Sequence, residues 1–175
     1  VRRILRHEGM TAVLVTHDQH EAFAMADEIG VMRQGRLLQW AAGYDLYHRP
    51  ASRFVAQFVG QGTLIAGTVV DANAVATALG VIQSRTTLDC VPGARVEVLM
   101  RPDDLLCVDA GRGPTGTIVE QDFRGAEYLY TIRLDNGEKV LSLARSHEGH
   151  PVGARVGLQL DTQHLIVFAP DAAQA

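Results

Sequence analysis

The sequence predicts an α/β segment over residues 1–60, an all-β domain of two barrel-like lobes over residues 61–170, and a short tail, 171–175. Three observations predict this division. Apolar residues recur at helical spacing only before about residue 60. After Gly62, short β-branched runs alternate with Gly, Pro and Asp-Asn turns, which is typical of a small barrel. The second half also repeats one β-unit, which indicates two similar lobes sharing a core.

The first elements are a polar helix, a strand and a second helix. Residues 1–8 are predicted to form the first helix, which ends at Gly9. The continuous apolar run Ala12–Val15 is typical of a strand buried on both faces. Asp18 then opens the second helix, with Glu21 at capping-box spacing, and this helix is expected to run to about Glu28.

A hairpin and two more helices complete the first segment. Residues 29–32 and 36–40 alternate across Gln34-Gly35, which predicts a hairpin. Residues 44–48 are predicted to form a short helix. The next helix starts at Pro50 and ends at Gly60.

Two short sequences each occur twice in the second half, in the same order. Gly67–Val70 matches Gly116–Val119, and Gly93–Val96 recurs identically as Gly153–Val156. Each copy ends in an apolar run predicted to be a strand, Leu105–Val108 in the first and Leu165–Phe168 in the second. The segments between the two matched sequences differ in length from one copy to the other, so one copy is expected to carry an insertion in a loop.

Composition excludes several function classes. The net charge is −4 with no basic block and only 6% aromatic residues, which argues against a nucleic-acid surface. No apolar stretch reaches the roughly 18 residues that span a bilayer. Cys90 and Cys107 are either buried reduced thiols or a disulfide, and a cytosolic setting favours the first.

The sole lysine excludes one kind of phosphate site. Lys139 lies between Glu138 and Val140, so the chain has no Gly-Lys-Ser/Thr run of the kind that wraps nucleotide phosphates. The chain is therefore expected not to perform nucleotide chemistry alone.

His17 is the candidate catalytic residue. It follows the predicted strand directly and precedes the capped helix, and ligands of open α/β sheets bind beyond the carboxyl ends of the strands. An imidazole there can donate a hydrogen bond to a phosphate oxygen or a reacting water. The alternative is that His17 is only a loop or capping residue.

The residues around His17 resemble the end of an ABC transporter ATPase domain. The resemblance rests on an apolar strand followed by Thr-His-Asp-Gln, then by Ala-Asp, Val-Met and Gly-Arg-Leu-Leu-Gln, and continues through Tyr44–Pro50 and Arg53–Gly60. This string is similar to the junction in importers of the maltose, polyamine, sulfate and ferric-iron type. Residues 61–170 resemble their accessory TOBE domain, built from two OB-like lobes, although Asp103 stands where most relatives have Glu.

The resemblance implies that His17 is the switch histidine, which contacts the γ-phosphate of ATP in the intact parent, and that Asp18 caps the helix and steadies the loop. The parent would use ATP and Mg²⁺. The P-loop, the glutamine loop, the signature sequence and the magnesium-binding acidic strand have no counterpart here, so this chain is expected to be inactive and to bind neither. No metal site is predicted, and Asp27 and Glu28 are assigned no magnesium role because they follow His17 and lie on the predicted helix.

The resemblance also implies partners and a location. The β-domain would form a homodimer and receive regulatory signals. The full system would include transmembrane permease subunits and a periplasmic or extracellular solute-binding protein, with this protein peripheral on the cytoplasmic face of the bacterial inner membrane. Ferric iron is the best guess for the solute, with a polyamine or another small solute as the alternative. A stand-alone small-ligand-binding module is a further alternative.

Two weaker sites leave alternatives open. Ser146–His150 contains two histidines and a glutamate, and it is either a loose metal site or a solvated loop. Arg101–Asp104 is either an anion site or a turn held by an arginine–carboxylate contact.

Overall fold

The structure is a computed structural model that describes residues 2–162 and 164–170. The predicted tail over 171–175 lies outside the described residues, as do Val1 and Gln163. The chain divides into two units, residues 1–60 and residues 61–175.

The first unit contains four short helices and one hairpin. The helices are α1 (Arg2–His7), α2 (Gln19–Met25), α3 (Gly43–His48) and α4 (Arg53–Val59). The hairpin confirms the prediction around Gln34-Gly35. Its strands β1 (Ile29–Arg33) and β2 (Arg36–Ala41) are antiparallel, and both turn residues have positive φ, 50° and 74°. The helix predicted over residues 44–48 is confirmed as α3. The next helix was predicted to start at Pro50 but starts at Arg53, because Ser52 is extended and caps it.

A small apolar core joins the hairpin to α3 and α4. Val31, Leu46, Val55 and Val59 are buried together, and Phe23 of α2 packs against them. Ser52 caps α4, because its hydroxyl accepts the Val55 N–H at 3.3 Å. The core is therefore made mainly by elements that follow residue 28.

The predicted strand over Ala12–Val15 is wrong. These residues have no regular secondary structure, and Val13 and Val15 are 91% and 93% exposed. A strand requires a neighbour to pair its N–H and C=O groups. Among the described residues, the sheet pairings of the first unit are those of β1 with β2. This apolar segment is therefore not paired with any strand of the described chain, although such sequences normally form strands of a sheet.

The second unit contains ten strands in two five-stranded sheets. One sheet has the order β12-β6-β3-β4-β5 and the other the order β10-β9-β8-β11-β7. The strands of the first repeat are β3 (Thr63–Asp71), β4 (Ala74–Thr77), β5 (Gly80–Gln83), β6 (Arg95–Met100) and β7 (Leu105–Val108). Those of the second are β8 (Thr115–Phe123), β9 (Glu127–Leu134), β10 (Lys139–Arg145), β11 (Arg155–Leu160) and β12 (Ile166–Phe168).

The sequence repeat is also a repeat of hydrogen bonds. In the first copy, the Val69 N–H donates to Ala94 O at 2.9 Å and the Gly93 N–H donates to Val69 O at 2.8 Å. In the second copy, the Ile118 N–H donates to Ala154 O at 3.0 Å, and the Gly153 N–H donates to Ile118 O at 2.8 Å. The repeated sequences thus set the register of equivalent antiparallel strand pairs in the two copies. These pairs are β3 with β6 and β8 with β11.

Each repeat begins with a glycine because a neighbouring strand approaches closely. A Cβ on Gly67 would lie 2.6 Å from Val75 Cγ1, and one on Gly116 would lie 2.5 Å from Ile132 Cγ2. Both distances are far below the normal contact of about 3.5–4.0 Å between carbons. The absent side chain lets the second strand of each copy pack against the first.

The predicted barrels are not closed. The backbone pairing of one sheet ends at β7 and β10 and that of the other at β12 and β5. Between β7 and β10, the Ser142 hydroxyl donates to Leu105 O at 2.7 Å. The prediction of an all-β domain is therefore confirmed, whereas its closure into barrels is wrong, because the edge strands of neither sheet pair through their backbones in the described chain.

The two sheets share one hydrophobic core, as the repeat predicted. Side chains from both sheets are fully buried in it, including Ile65, Val98, Leu105, Tyr130 and Ile132. A carboxylate also joins the sheets, because Glu138 in the turn between β9 and β10 accepts the Ala66 N–H of β3 at 2.9 Å. The two cysteines are free and partly buried.

Candidate functional site

His17 lies in a bend between the unpaired segment 10–16 and α2, and it is exposed. Its side chain makes no hydrogen bond with another residue of the described chain. The neighbours on both sides are fixed, because the Asp18 N–H donates to Thr16 Oγ1 at 3.0 Å. The imidazole is therefore presented to solvent by a short turn that is itself hydrogen-bonded.

Asp18 caps α2 as predicted. Its Oδ1 accepts the N–H of His20 at 2.8 Å and that of Glu21 at 3.1 Å. These are among the first N–H groups of the helix, which have no partner within it. The helix ends at Met25, earlier than the expected Glu28, so Asp27 and Glu28 do not lie on it.

Asp27 and Glu28 bind other side chains of the first unit. Asp27 Oδ1 forms ion pairs with Arg6 and, at 3.2 Å, with Arg2. Hydrogen bonding to Arg6, followed by that to Arg2, holds the pKa of this carboxyl below its usual range. Glu28 Oε2 accepts from Trp40 Nε1 at 2.9 Å. Both carboxylates thus have structural partners.

One contact of the His17 turn was not predicted. The Gln19 side-chain amide donates to the backbone carbonyl of Phe58, near the end of α4. The only signal in the sequence was the spacing of Gln19 and Phe23, which places both on one face of α2. The partner was beyond sequence reasoning, since it lies 39 residues along the chain.

Arg101 is a buried residue at the start of a short 3₁₀ turn of the second unit. It is 2% exposed, and its backbone N–H donates to Asp104 Oδ2 at 2.8 Å. Its guanidinium donates to Gln61 O at 3.1 Å. Burial raises the pKa of the Asp104 carboxyl, and the bond from Arg101 opposes this rise. The turn is thus held by an arginine–carboxylate contact that uses the backbone of the arginine.

The second unit also has a groove of about 890 Å³. Its charged lining residues are Arg95, Glu97, Asp135 and Glu138. Asp135 binds Arg155 at 2.8 Å, and this hydrogen bond, followed by that from Thr115, lowers the pKa of the Asp135 carboxyl. Among the described residues, no three His, Cys, Asp or Glu side chains are grouped to hold a metal ion.

The segment Ser146–His150 forms a short 3₁₀ turn followed by an extended stretch. The turn covers Ser146–Glu148, with His147 and Glu148 exposed. The His150 N–H donates to the Tyr130 hydroxyl at 2.8 Å. This geometry is that of a solvated loop anchored by its backbone.

Similarity to known proteins covers most of the chain. It is 36% identical over 169 residues to a spermidine/putrescine import ATP-binding protein of Methylococcus capsulatus, which covers 89% of this chain and 44% of that protein. It is 37% identical over 155 residues to the protein of the same name from Nitratidesulfovibrio vulgaris, covering 81% of this chain and 42% of that protein. The chain thus spans less than half the length of these relatives. None of its described helices is long and apolar enough to cross a membrane.

A family model matches part of the second unit, and a solved structure has a fold similar to much of the chain. Residues 98–168 match the TOBE domain model. The cytoplasmic molybdate-binding protein ModG, in a molybdate-bound crystal form, superposes with a TM-score of 0.52 at 16% identity, covering 70% of this chain and 99% of ModG. At this identity the likeness shows the fold alone. Taken together, these similarities place the chain with the C-terminal, TOBE-containing regions of ATP-binding proteins of ABC importers.

Proposed function

We propose that the chain is the C-terminal part of an ATPase subunit that drives solute import, and that His17 is its switch histidine. The observation that carries the proposal is the exposed imidazole in a turn fixed by Thr16 and Asp18, within a sequence 36% identical to an import ATP-binding protein. The remaining parts of the ATP site, including the residues that hold Mg²⁺, would belong to the rest of the intact protein.

In this function His17 would donate a hydrogen bond to the γ-phosphate. Charge accumulates on the phosphoryl oxygens during transfer, so a fixed donor stabilises the transition state more than the ground state. Asp18 contributes by fixing the first turn of α2, which keeps His17 at one position relative to the helix. The exposure of His17 fits this role, because its acceptor would come from outside the described residues.

The test is His17→Ala in the intact ATP-binding protein. Removal of one transition-state donor is expected to lower kcat for ATP hydrolysis about 10²–10³-fold and to leave ATP affinity within a few-fold. His20→Ala is the matched control, since its exposed ring lies one turn away and only its backbone bonds Asp18. Normal turnover in His17→Ala would remove the catalytic assignment.

We propose a polyamine as the solute, in place of the ferric iron expected from the sequence. The relatives from Methylococcus capsulatus and Nitratidesulfovibrio vulgaris are both named for spermidine and putrescine import. Uptake of labelled spermidine and of ferric iron, in cells with and without the intact gene, would separate the two. If cells without the gene lost iron uptake but kept spermidine uptake, the solute would be ferric iron.

The β-domain is proposed to dimerise and to regulate the ATPase. Two chains held together there would keep their ATPase domains at high effective concentration through each cycle. The permease and the solute-binding protein would complete the importer, with this subunit on the cytoplasmic face of the membrane. A monomeric mass for the intact protein in light scattering would contradict the dimer.

A further inference from the structure

The contact between Gln19 and Phe58 joins the His17 turn to a distant helix end. Gln19 is the first residue of α2 and stands two positions after His17. Its side-chain amide donates to the carbonyl of Phe58, in the last turn of α4. The last four carbonyls of a helix have no partner within it, so an outside donor is a favourable addition there.

A second contact attaches the same face of α2. Phe23, one turn after Gln19, packs against the core formed by the hairpin, α3 and α4. Gly43 at the start of α3 leaves room for this ring, because a Cβ there would lie 2.8 Å from Phe23 Cδ1. The helix that follows His17 is therefore attached by a polar contact at its start and an apolar contact one turn later.

The segment before His17 offers no comparable attachment. Val13 and Val15 are more than 90% exposed and join no sheet in the described chain. The hydrogen bonds of the turn itself are local, from Asp18 to Thr16 and from His20 and Glu21 to Asp18. Gln19 thus supplies a long-range hydrogen bond at the start of α2, next to the His17 turn, whereas the bond from Arg2 Nη1 to Ala24 O, at 3.0 Å, lies at the other end of the helix.

We infer that Gln19 is a positioning residue for His17, and that it acts by binding the end of α4. The imidazole then keeps a fixed place relative to α4, and a displacement of the α4 end also displaces the imidazole. The contact between Gln19 and Phe58 can be tested in the chain itself. Its effect on ATP hydrolysis rests on the proposed function, in which His17 binds the γ-phosphate.

The first experiment measures amide hydrogen exchange by NMR in the chain. Gln19→Glu retains the length of the side chain but removes the N–H donor, and Gln19→Ala removes the contact entirely. The Ala22 N–H, which donates to Asp18 O at 3.1 Å, reports the first turn of α2. Loss of one hydrogen bond is expected to raise its exchange rate about 5-fold and to shift the His17 ring resonances.

Gln57→Ala is the matched control. Gln57 is exposed on α4 beside Phe58, so the substitution removes the same side chain without removing the contact to α2. Ala22 exchange in this control is expected to match that of the unsubstituted chain. Equal exchange in Gln19→Glu and Gln57→Ala would overturn the inference.

The second experiment uses the intact ATP-binding protein and a double substitution. Gln19→Glu is expected to lower kcat about 10-fold with little change in the KM for ATP. If Gln19 acts through His17, then adding Gln19→Glu to His17→Ala lowers kcat no further. A further 10-fold loss in the double variant would mean that Gln19 acts elsewhere and would refute the positioning role. Full activity in His17→Ala alone would instead refute the proposed function, so the two failures are distinguishable.

Discussion

Residues 1–60 and residues 61–170 differ in how they bury apolar side chains. The second region surrounds one core with two sheets, and the side chains of Val98, Tyr130 and Ile132 have no exposed surface. The first region buries only a few side chains together and leaves Val13 and Val15 almost entirely exposed. An apolar sequence therefore does not by itself ensure that its side chains are buried. An apolar run such as Ala12–Val15 forms a strand only where a neighbouring strand pairs with its backbone N–H and C=O groups.

The largest expected difference between the regions comes from a matched pair of Val→Ala substitutions. Val98→Ala removes two buried methyl groups and leaves a cavity, so it is expected to lower the free energy of unfolding by about 2–3 kcal/mol. Val15→Ala should change it by less than about 0.5 kcal/mol, since the side chain is already exposed.

Urea unfolding followed by circular dichroism would measure both valine variants. Fluorescence of Trp40, the single tryptophan, reports the first region separately. A loss at Val15 as large as that at Val98 would show that the exposed segment is covered in solution, and the comparison between regions would then fail.

A matched pair of Gly→Ala substitutions is expected to change the free energy of unfolding by an intermediate amount. At Gly116 the new Cβ would lie 2.5 Å from Ile132 Cγ2 and 3.0 Å from the Arg133 carbonyl. A backbone atom in a central strand cannot move aside, so a loss of about 1–3 kcal/mol is expected.

At Gly43 the close atoms belong to the side chains of Phe23 and Ile29. The Phe23 ring can shift with α2, and alanine favours the helix by up to about 1 kcal/mol. The net loss should therefore be smaller than at Gly116. Thermal unfolding would compare the two variants, and a larger loss at Gly43 would show that the first region is packed as rigidly as the second.

The smallest expected effects come from one exposed aspartate in each region that is paired with arginine. Arg155 lowers the pKa of Asp135 in the second region, and Arg6 and Arg2 lower that of Asp27 in the first. A carboxyl whose folded pKa is depressed contributes stability above its ordinary pKa of 3.8, and this contribution is lost as the pH falls through the folded value.

Asp135→Asn and Asp27→Asn should therefore lower the Tm slightly at pH 7, and the difference from the unsubstituted chain should shrink below pH 3.8. Added salt should reduce both effects because the pairs are exposed. Thermal scans at several pH values and two salt concentrations would check this. A difference that grows on acidification contradicts the assignment of these pairs.

Much of the fold followed from local sequence. Gln34-Gly35 predicted the hairpin because alternating runs flank it, and the copies of Gly-Ala-Arg-Val predicted two equivalent strands. Ala12–Val15 was predicted wrongly because periodicity reports apolar character and cannot report whether a partner strand is present. Closure of the barrels was likewise unpredictable, since it depends on whether edge strands meet, and here Ser142 bonds Leu105 by its side chain.

The candidate site was predicted only in part. The spacing of Asp18 and Glu21 located the cap of α2, and the structure confirms that Asp18 provides it. The contact of Gln19 with Phe58 depends on how α2 packs, so the spacing of Gln19 and Phe23 indicated a shared face but not the partner. The role of His17 remains a prediction, because its proposed acceptor is a nucleotide.

The paired bonds from Val69 to Ala94 and from Ile118 to Ala154 have a consequence for engineering. Each bond fixes the two strands of a copy whatever the length of the chain between them, and the natural copies already differ in that length. A fluorescent sensor or an affinity tag inserted in the loops before Gly93 or Gly153 should therefore leave the duplicated frame assembled, which makes these loops suitable places to attach a reporter.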